Sequence, residues 1–274
     1  MNQPDYRACQ LFASGHTQGC GQHGRALLEE YWFLYRIWLF AMHDAPPNKR
    51  LTLAGLEPFA RGGGRDCYAH PQDSGLCVKV AREGRSPQER RQRVAWWKRW
   101  RKPAEKYDDS LRDFQILKAL ESDADSVTWQ HIPRCLGWVE TDRGLGLVTD
   151  LIRDADGLIS RNLLEYLWTN NYDDRVQAAV DEFARFWESG RIPTRSLFLD
   201  NIAAQVRSDG TLRLVVIDGL GSTVLIPWYT WSTTLGRIWA RRKIQDLRRD
   251  IAALVERRRT QTAPGKETFL RSRR

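Results

Sequence analysis

The stretch Arg61-Gly62-Gly63-Gly64-Arg65 separates two segments with strand character, Leu51 to Phe59 and Cys67-Tyr68-Ala69. A second turn leads to Leu76-Cys77-Val78-Lys79-Val80, a third strand candidate that is rich in apolar residues. Because the three glycines have no side chains, their backbone N–H groups could approach phosphate oxygens, although an ordinary hairpin turn also explains them. These segments predict a small antiparallel sheet with Lys79 on its third strand.

The rest of the chain alternates helical and strand patterns. We predict first a helix with Leu111, Phe114, Leu117 and Leu120 on one face, and then a hairpin of Cys135 to Glu140 and Leu145 to Leu151. A second helix follows, with Val176, Val180, Phe183 and Trp187 on one face and its end at Gly190, and then a hairpin of Ile202 to Val206 and Leu212 to Ile217. The last predicted element is a long helix from about Trp231 to Arg258, with Leu235, Ile238, Ile244, Leu247, Ile251 and Leu254 facing the core. A strand-rich first half before a mainly helical second half predicts a two-lobed α+β fold.

Polar side chains stand at the two ends of the second hairpin. Asn201 comes directly before its first strand, and Asp218 comes directly after its second strand. Since the ends of a hairpin meet in space, their oxygens could together bind Mg²⁺, which usually takes one or two protein groups plus phosphates. The alternative is that Asn201 is a turn residue and Asp218 caps a loop.

Lys79 is the candidate phosphate ligand of the first half, although a lysine on a short strand can also be a solvated edge charge. A carboxylate on the following helix is the expected partner of such a lysine. Asp113 is the first choice for this partner and Glu105 is the second.

The order of these features resembles that of protein kinases. Cys77-Val78-Lys79-Val80 is similar to the Val-Ala-Ile-Lys strand of kinases, and the glycine turn precedes it as the kinase phosphate loop does. The resemblance implies a protein-kinase-like fold that binds ATP and Mg²⁺. It implies that the nucleotide lies near Gly62, Gly63, Gly64, Lys79 and Asp113, and that Asn201 and Asp218 hold the metal.

Blocks in fixed order from about Leu51 to the last helix also resemble the PhoP regulatory network protein YrbL family, whose members are kinase-like. The blocks are Gly64-Arg65, Cys67 to Pro71, Cys77 to Lys79, Ile132 to Arg134, Gly137 to Thr141, Thr194 to Leu197, Asn201-Ile202, Asp218, Ser222 to Pro227 and Thr230 to Ser232. This resemblance implies a kinase-like fold and a role in bacterial regulation, and it supplies no substrate.

The chain departs from the kinase pattern where kinases have His-Arg-Asp-Leu, because this sequence has Thr194-Arg195-Ser196-Leu197. Ser196 cannot act as the general base, and losing that help typically costs about 10²- to 10⁴-fold in rate. Arg195 and Ser196 remain the candidate catalytic residues, with Asp200 as a substitute base or a turn residue. The sequence is therefore compatible with slow or atypical phosphotransfer to a protein or small-molecule acceptor, and with an inactive pseudokinase scaffold.

Composition predicts a globular protein with acidic partners. The 274 residues have a formal net charge of +9, and a basic insertion at residues 82–107 interleaves arginines and lysines with Trp96, Trp97 and Trp100. Such a segment could bind RNA or another anionic surface, or it could be a solvated helix whose tryptophans cover the lobe. Five cysteines without a Cys-x-x-Cys pair favour a reducing compartment.

The sequence also suggests a division into segments. Residues 1–50 form an N-terminal extension, 51–152 a kinase-like first lobe, 153–260 a second lobe and 261–274 a basic tail that we expect to be flexible. The aromatic run Tyr31 to Met42 is too short to span a bilayer and contains Arg36, so we expect a cytoplasmic protein without a transmembrane segment. This run is a helix packed on the body, an interfacial helix, or sequence upstream of a true start at Met42.

Overall fold

The structure is a computed structural model, and it describes residues 50–93, 108–121, 128–190, 192, 194–195, 197–221, 233–260 and 272–273. All of these residues belong to one compact unit, Pro46–Arg274. The predictions for residues 1–49, for Glu105 with the tryptophans of the basic insertion, and for Ser196 lie outside the described residues.

The first part of this unit contains an antiparallel sheet of five strands in the order β1-β2-β3-β5-β4. The strands are β1 (Ala60–Arg61), β2 (Arg65–His70), β3 (Asp73–Ala81), β4 (Cys135–Thr141) and β5 (Gly144–Asp150). The predicted strands around Cys67 and Lys79 and the first predicted hairpin are confirmed. Lys79 lies at the centre of the sheet, where it faces Cys67 on one side and Leu147 on the other.

The prediction of a strand from Leu51 to Phe59 is wrong. In this segment Leu51 forms an isolated parallel bridge to Thr141, and no strand is present. The carboxylate of Asp142 instead accepts the N–H groups of Leu53 at 2.7 Å and Ala54 at 2.8 Å. Gly55 then turns the chain with a φ of 81°, a left-handed conformation that no extended strand contains.

Six α-helices and a two-stranded sheet complete the described residues. The helices are α1 (Pro87–Gln92), α2 (Asp109–Glu121), α3 (Thr128–His131), α4 (Leu163–Thr169), α5 (Asp174–Gly190) and α6 (Thr233–Thr260), and a 3-10 helix (Leu199–Asn201) precedes the antiparallel pair β6 (Ile202–Val206) and β7 (Leu212–Val216). The helices at α2, α5 and α6 and the second hairpin confirm the sequence prediction, whereas α1, α3 and α4 were not predicted. The architecture is α+β and is consistent with two lobes.

Helix α5 lies in the core of the helical part, where Phe183 and Trp187 are fully buried and their rings stack 5.3 Å apart. His131 of α3 packs on the same cluster, with its ring 4.6 Å from that of Phe186 and its Nδ1 2.8 Å from the carbonyl of Leu214. These contacts attach the β6-β7 hairpin to the helices.

Helix α6 buries Ile244, Leu247, Ile251 and Leu254, as predicted, but Leu235 and Ile238 are 41% and 43% exposed. Their assignment to the core was wrong. The buried positions of the first two turns are Gly236 and Ala240, so the inward face is occupied by small residues that let the helix approach its neighbours closely. None of the described helices is long and apolar enough to cross a membrane.

A substitution at Gly146 of β5 tests how closely the side chains of the five-stranded sheet pack. A Cβ atom there would lie 2.7 Å from Cγ1 of Val78 and 3.2 Å from Cγ1 of Val80, both on stiff β-branched side chains. We expect Gly146→Ala to lower the free energy of unfolding by about 1 to 3 kcal/mol, because the strands must shift. Urea denaturation measures this change. The matched control is Gly63→Ala, since that Cβ meets nothing within 4 Å, and an equal loss in both variants would contradict the packing argument.

Candidate functional site

Arg65, the first residue of β2, connects the sheet to two acidic side chains from elsewhere in the chain. Its Nη2 is 2.8 Å from Oδ2 of Asp113 on α2, and it also donates a hydrogen bond to Oδ1 of Asp218 after β7. Its Nη1 donates to the hydroxyl of Ser110 at 3.3 Å. Burial alone would lower the pKa of Arg65, but the two carboxylates outweigh burial and raise this pKa well above its ordinary value.

Lys79 reaches the same place from the centre of the sheet. The lysine is only 7% exposed, and its Nζ donates a 2.7 Å hydrogen bond to the carbonyl of Ile217, the residue before Asp218. The expected carboxylate partner, Asp113, forms its ion pair with Arg65 instead. Arg65 starts β2 beside α2, so it reaches Asp113, whereas the hydrogen bond of Lys79 is directed to the β6-β7 hairpin.

The two buried carboxylates differ in their proton affinity. Burial raises the pKa of Asp113, with a further rise from the neighbouring charge of Asp218, and Arg65 offsets only part of this increase. Partial burial also acts to raise the pKa of Asp218, but the charges of Arg65 and Lys79 and the hydrogen bond from Gly219 bring this pKa below its ordinary value. Of the two carboxylates, Asp218 therefore has the lower proton affinity.

Asp218 also has room for a ligand. Its side chain is 38% exposed, and the contacts described for it, from Arg65, Arg195 and the N–H of Gly219, are all made to Oδ1. The second oxygen, Oδ2, is consequently available as a ligand for a cation or as a hydrogen-bond acceptor.

Asn201 and Asp200 lie at the same end of the hairpin as Asp218. The carbonyl of Asn201 accepts the N–H of Ile217 at 2.8 Å, which extends the β6-β7 pairing and confirms that the two hairpin ends meet. Asp200 is half-buried, and burial raises its pKa, as does the nearby charge of Asp218. The end of the hairpin thus presents two carboxylates and one amide, which are hard oxygen ligands.

The loop that contains Arg195 is fastened to the segment after Asp218. Thr194 forms an antiparallel bridge with Leu220, and the N–H of Arg195 donates to the carbonyl of Gly219 at 3.0 Å. The guanidinium of Arg195 lies 2.5 Å from Asp109 and 3.7 Å from Asp218. Arg195 is therefore part of the site, while the position of Ser196 lies outside the described residues.

Asp109, at the start of α2, is contacted by three arginines from different elements. Its carboxylate lies 2.6 Å from Nη1 of Arg90 on α1, 2.6 Å from Nη2 of Arg112 on α2 and 2.5 Å from Nη1 of Arg195. Burial acts to raise the pKa of Asp109, but the arginines lower it to about 2. This carboxylate ties α1, α2 and the Arg195 loop together.

The glycine turn contains a backbone hydrogen bond of its own. The N–H of Gly62 donates to the carbonyl of Arg65 at 2.9 Å, so this donor is used within the turn. A Cβ on Gly64 would lie 3.4 Å from Nη1 of Arg90, whereas Gly63 faces open space. Glycine at position 64 lets the turn approach the Arg90–Asp109 pair closely.

No group of three or more His, Cys, Asp or Glu side chains within the described ranges is arranged as a metal-binding set. The two pockets described in the structure lie elsewhere, one between α5 and α6 and one beside Thr141. The candidate site is a convergence of charged side chains that lies outside these two pockets.

Comparison with known proteins identifies the family. The sequence pattern of the family described as PhoP regulatory network protein YrbL matches residues 51–252. This chain belongs to that family. Two relatives, each described as "Uncharacterized protein YrbL", from Escherichia coli (strain K12) and from Shigella flexneri, are 31% identical over 188 residues, which cover 66% of this chain and 79% of each relative.

The family match encloses every residue of the site, including four that sequence reasoning did not assign to it: Arg65, Arg90, Asp109 and Arg112. Arg65 stood in a block that carried the family resemblance and could have been suspected there. Arg90, Asp109 and Arg112 come from a charged region in which a solvated surface is the usual explanation. No sequence signal separates their partly buried ion pairs from that background.

Asp109→Asn tests the electrostatic link between α1, α2 and the Arg195 loop. Because the folded pKa of about 2 is depressed below the ordinary aspartate value, the carboxylate contributes stability above about pH 4 and loses this contribution as the pH falls toward 2. We expect the variant to be less stable at neutral pH by about 2 kcal/mol. The difference from the native protein should shrink in acid, as measured by urea unfolding from pH 7 to pH 2.

The control is Asp73→Asn, at the exposed first residue of β3, where an amide oxygen can still accept the N–H of Gly75. A loss of stability in Asp109→Asn that is equally large at both ends of the pH range would show that packing, rather than charge, explains the effect.

Proposed function

We propose that this chain is a regulatory protein that binds ATP with Mg²⁺ at the site of Lys79 and Asp218, in the manner of a protein kinase, with slow or atypical phosphotransfer. The description of the family links its members to the PhoP regulatory network. The observation that supports nucleotide binding best is the environment of Lys79.

Lys79 is a buried cation whose described hydrogen-bond partner is the neutral carbonyl of Ile217. Buried charges are normally paired with an opposite charge, because a neutral partner compensates their desolvation poorly. The nearest anions, Asp113 and Asp218, are both in direct contact with Arg65. A phosphate group would therefore be a better partner for Lys79 than the carbonyl that it contacts.

The balance of charge also favours a polyphosphate ligand. The site brings together the cations Arg65, Lys79, Arg90, Arg112 and Arg195 and the carboxylates Asp109, Asp113, Asp200 and Asp218. The cations outnumber these carboxylates, so the site attracts an anion.

The donor set at the hairpin end fits Mg²⁺. Asp218 presents a partly exposed oxygen, and Asn201 lies beside it, which corresponds to the one or two protein ligands that Mg²⁺ takes when phosphates supply the rest. The metal would neutralise charge on the phosphates and help to orient them. Lys79 would bind a phosphate from the side of the sheet.

The second part of the proposal concerns catalysis and the residue that would act as general base. The general base of kinases is replaced by Ser196, and the candidate substitute is Asp200, whose pKa is raised by burial and by the charge of Asp218, a shift toward that of a useful general base. These features favour either slow transfer or a pseudokinase that binds nucleotide and acts through a partner. An RNA-binding role of the basic insertion has less support, since Arg90 from its described part is already paired with Asp109.

Nucleotide binding is tested by thermal unfolding with ATP and Mg²⁺. A ligand at 100 times its dissociation constant stabilises the native state by about 2.7 kcal/mol, so we expect a clear rise in melting temperature. Lys79→Met and Asp218→Asn should each remove most of this rise, because they remove the phosphate ligand and the metal ligand. Isothermal titration calorimetry on the same variants measures the affinity directly.

Lys118→Met is the matched control, because Lys118 lies on α2 and pairs with Glu121 at the surface. This variant should retain the full ATP-dependent shift. Unchanged ATP affinity in folded Lys79→Met and Asp218→Asn proteins would disprove the assignment of the site.

Ser196→Asp separates slow transfer from a scaffold. If Arg195, Asn201 and Asp218 already hold a kinase-like arrangement, the new carboxylate can accept a hydroxyl proton and raise ATP turnover by up to about 10²- to 10⁴-fold. Release of ADP is the measurement. A variant that binds ATP as tightly as the native protein but shows no gain would favour the pseudokinase role.

A further inference from the structure

The segment that joins β5 to α4 forms a small hairpin whose outer edge is not used by the hairpin itself. Arg153 and Ile159 are bridged in antiparallel fashion, and the hydrogen bonds of this pairing are made by their neighbours, Asp154 N–H to the Leu158 carbonyl at 2.8 Å and Ser160 N–H to the Ile152 carbonyl at 3.0 Å. In such a non-hydrogen-bonded pair the N–H and C=O of Ile159 point away from the hairpin. They form an edge that an extended strand can join.

Arg273, far away in the sequence, lies along this edge. The N–H of Ile159 donates to the carbonyl of Arg273 at 2.7 Å, and Nε of Arg273 donates back to the carbonyl of Ile159 at 2.9 Å. Nη2 of the same guanidinium contacts Oδ2 of Asp154. The fork of an arginine fits two acceptors placed side by side, which an ammonium group cannot match. The flexibility expected of the basic tail stays a prediction, since residues 261–271 and 274 lie outside the described residues.

Hydrogen bonds orient the carboxylate of Asp154 toward Arg273. Its side chain is 9% exposed, and Oδ1 already accepts the hydroxyl of Ser160 at 2.7 Å and the N–H of Val206 at 2.9 Å. These bonds fix the carboxylate so that Oδ2 faces Arg273. A buried carboxylate held in this way needs a cationic partner, because its charge would otherwise be poorly compensated.

Ile159 connects this edge to the five-stranded sheet. Its side chain is 2% exposed and packs in one cluster with Phe59 and Cys77, and Cys77 lies two residues before Lys79 on β3. A strand that hydrogen-bonds to the backbone of Ile159 is therefore connected, through the Ile159 side chain, to the apolar cluster beside the candidate site.

We infer that the hairpin of residues 152–160 is a recognition site for an arginine presented by an extended peptide, and that Arg273 of this chain occupies it. The backbone edge of Ile159 selects an extended strand, and Asp154 with the Ile159 carbonyl selects a guanidinium. The inference goes beyond nucleotide binding, and none of its steps depends on the proposed function.

Amide hydrogen exchange of the full chain, resolved by residue with NMR, tests this site. In Arg273→Ala the backbone carbonyl remains but its anchor is lost, so the amide of Ile159 should exchange about tenfold faster or more, as expected when a charge-assisted contact is removed. The amides of Asp154 and Ser160, which are bonded within the hairpin, should change much less. Arg273→Lys should resemble Arg273→Ala, because lysine keeps the charge but lacks the fork.

The control is Arg237→Ala, which removes the same charge from an exposed position of α6 and should leave Ile159 exchange unchanged. In a second measurement, a synthetic peptide of residues 266–274 is added to the Arg273→Ala protein. It should restore protection of Ile159, and the same peptide carrying Arg273→Lys should fail. Unchanged Ile159 exchange in Arg273→Ala, or equal rescue by both peptides, would overturn the inference.

Discussion

The ion pairs of Arg65 with Asp113 and Asp218 are the interaction on which the arrangement of the site depends. One buried guanidinium joins the first residue of β2, the middle of α2 and the end of β7, three elements that are distant in sequence. Removing one partner from such a buried group typically costs about 3 to 5 kcal/mol, because the remaining charge is left uncompensated. The sheet, helix α2 and the second hairpin are thereby held in one geometry.

The ion pairs of Arg65 also determine which partner Lys79 contacts. Since Arg65 contacts both nearby carboxylates, Lys79 remains a buried cation against a carbonyl group. A kinase-like site with a lysine–carboxylate pair would instead keep its lysine partly neutralised. In this chain Arg65 holds the carboxylates of the site, and Lys79 contacts a neutral carbonyl.

The carboxylate of Asp109 forms a second centre of ion pairing on helix α2, beside that of Asp113. It draws Arg90, Arg112 and Arg195 together, and Arg195 lies within 3.7 Å of Asp218. The two centres together place α2 between the glycine turn and the Arg195 loop.

The sequence by itself determined the order of the main elements and the positions of Lys79, Asn201 and Asp218, because strand alternation, helical periodicity and turn residues are local properties of the chain. The short strand-like run Leu51 to Phe59 and the inward positions of Leu235 and Ile238 were misjudged, since Asp142 captures the N–H groups of Leu53 and Ala54 and since Gly236 and Ala240 face inward on α6. Only the tertiary structure decided which charges are paired. Arg65 with Asp113, Asp109 with Arg195 and Arg273 with Asp154 are contacts between residues 48, 86 and 119 positions apart, and no periodicity in a sequence records which distant charges share a buried space.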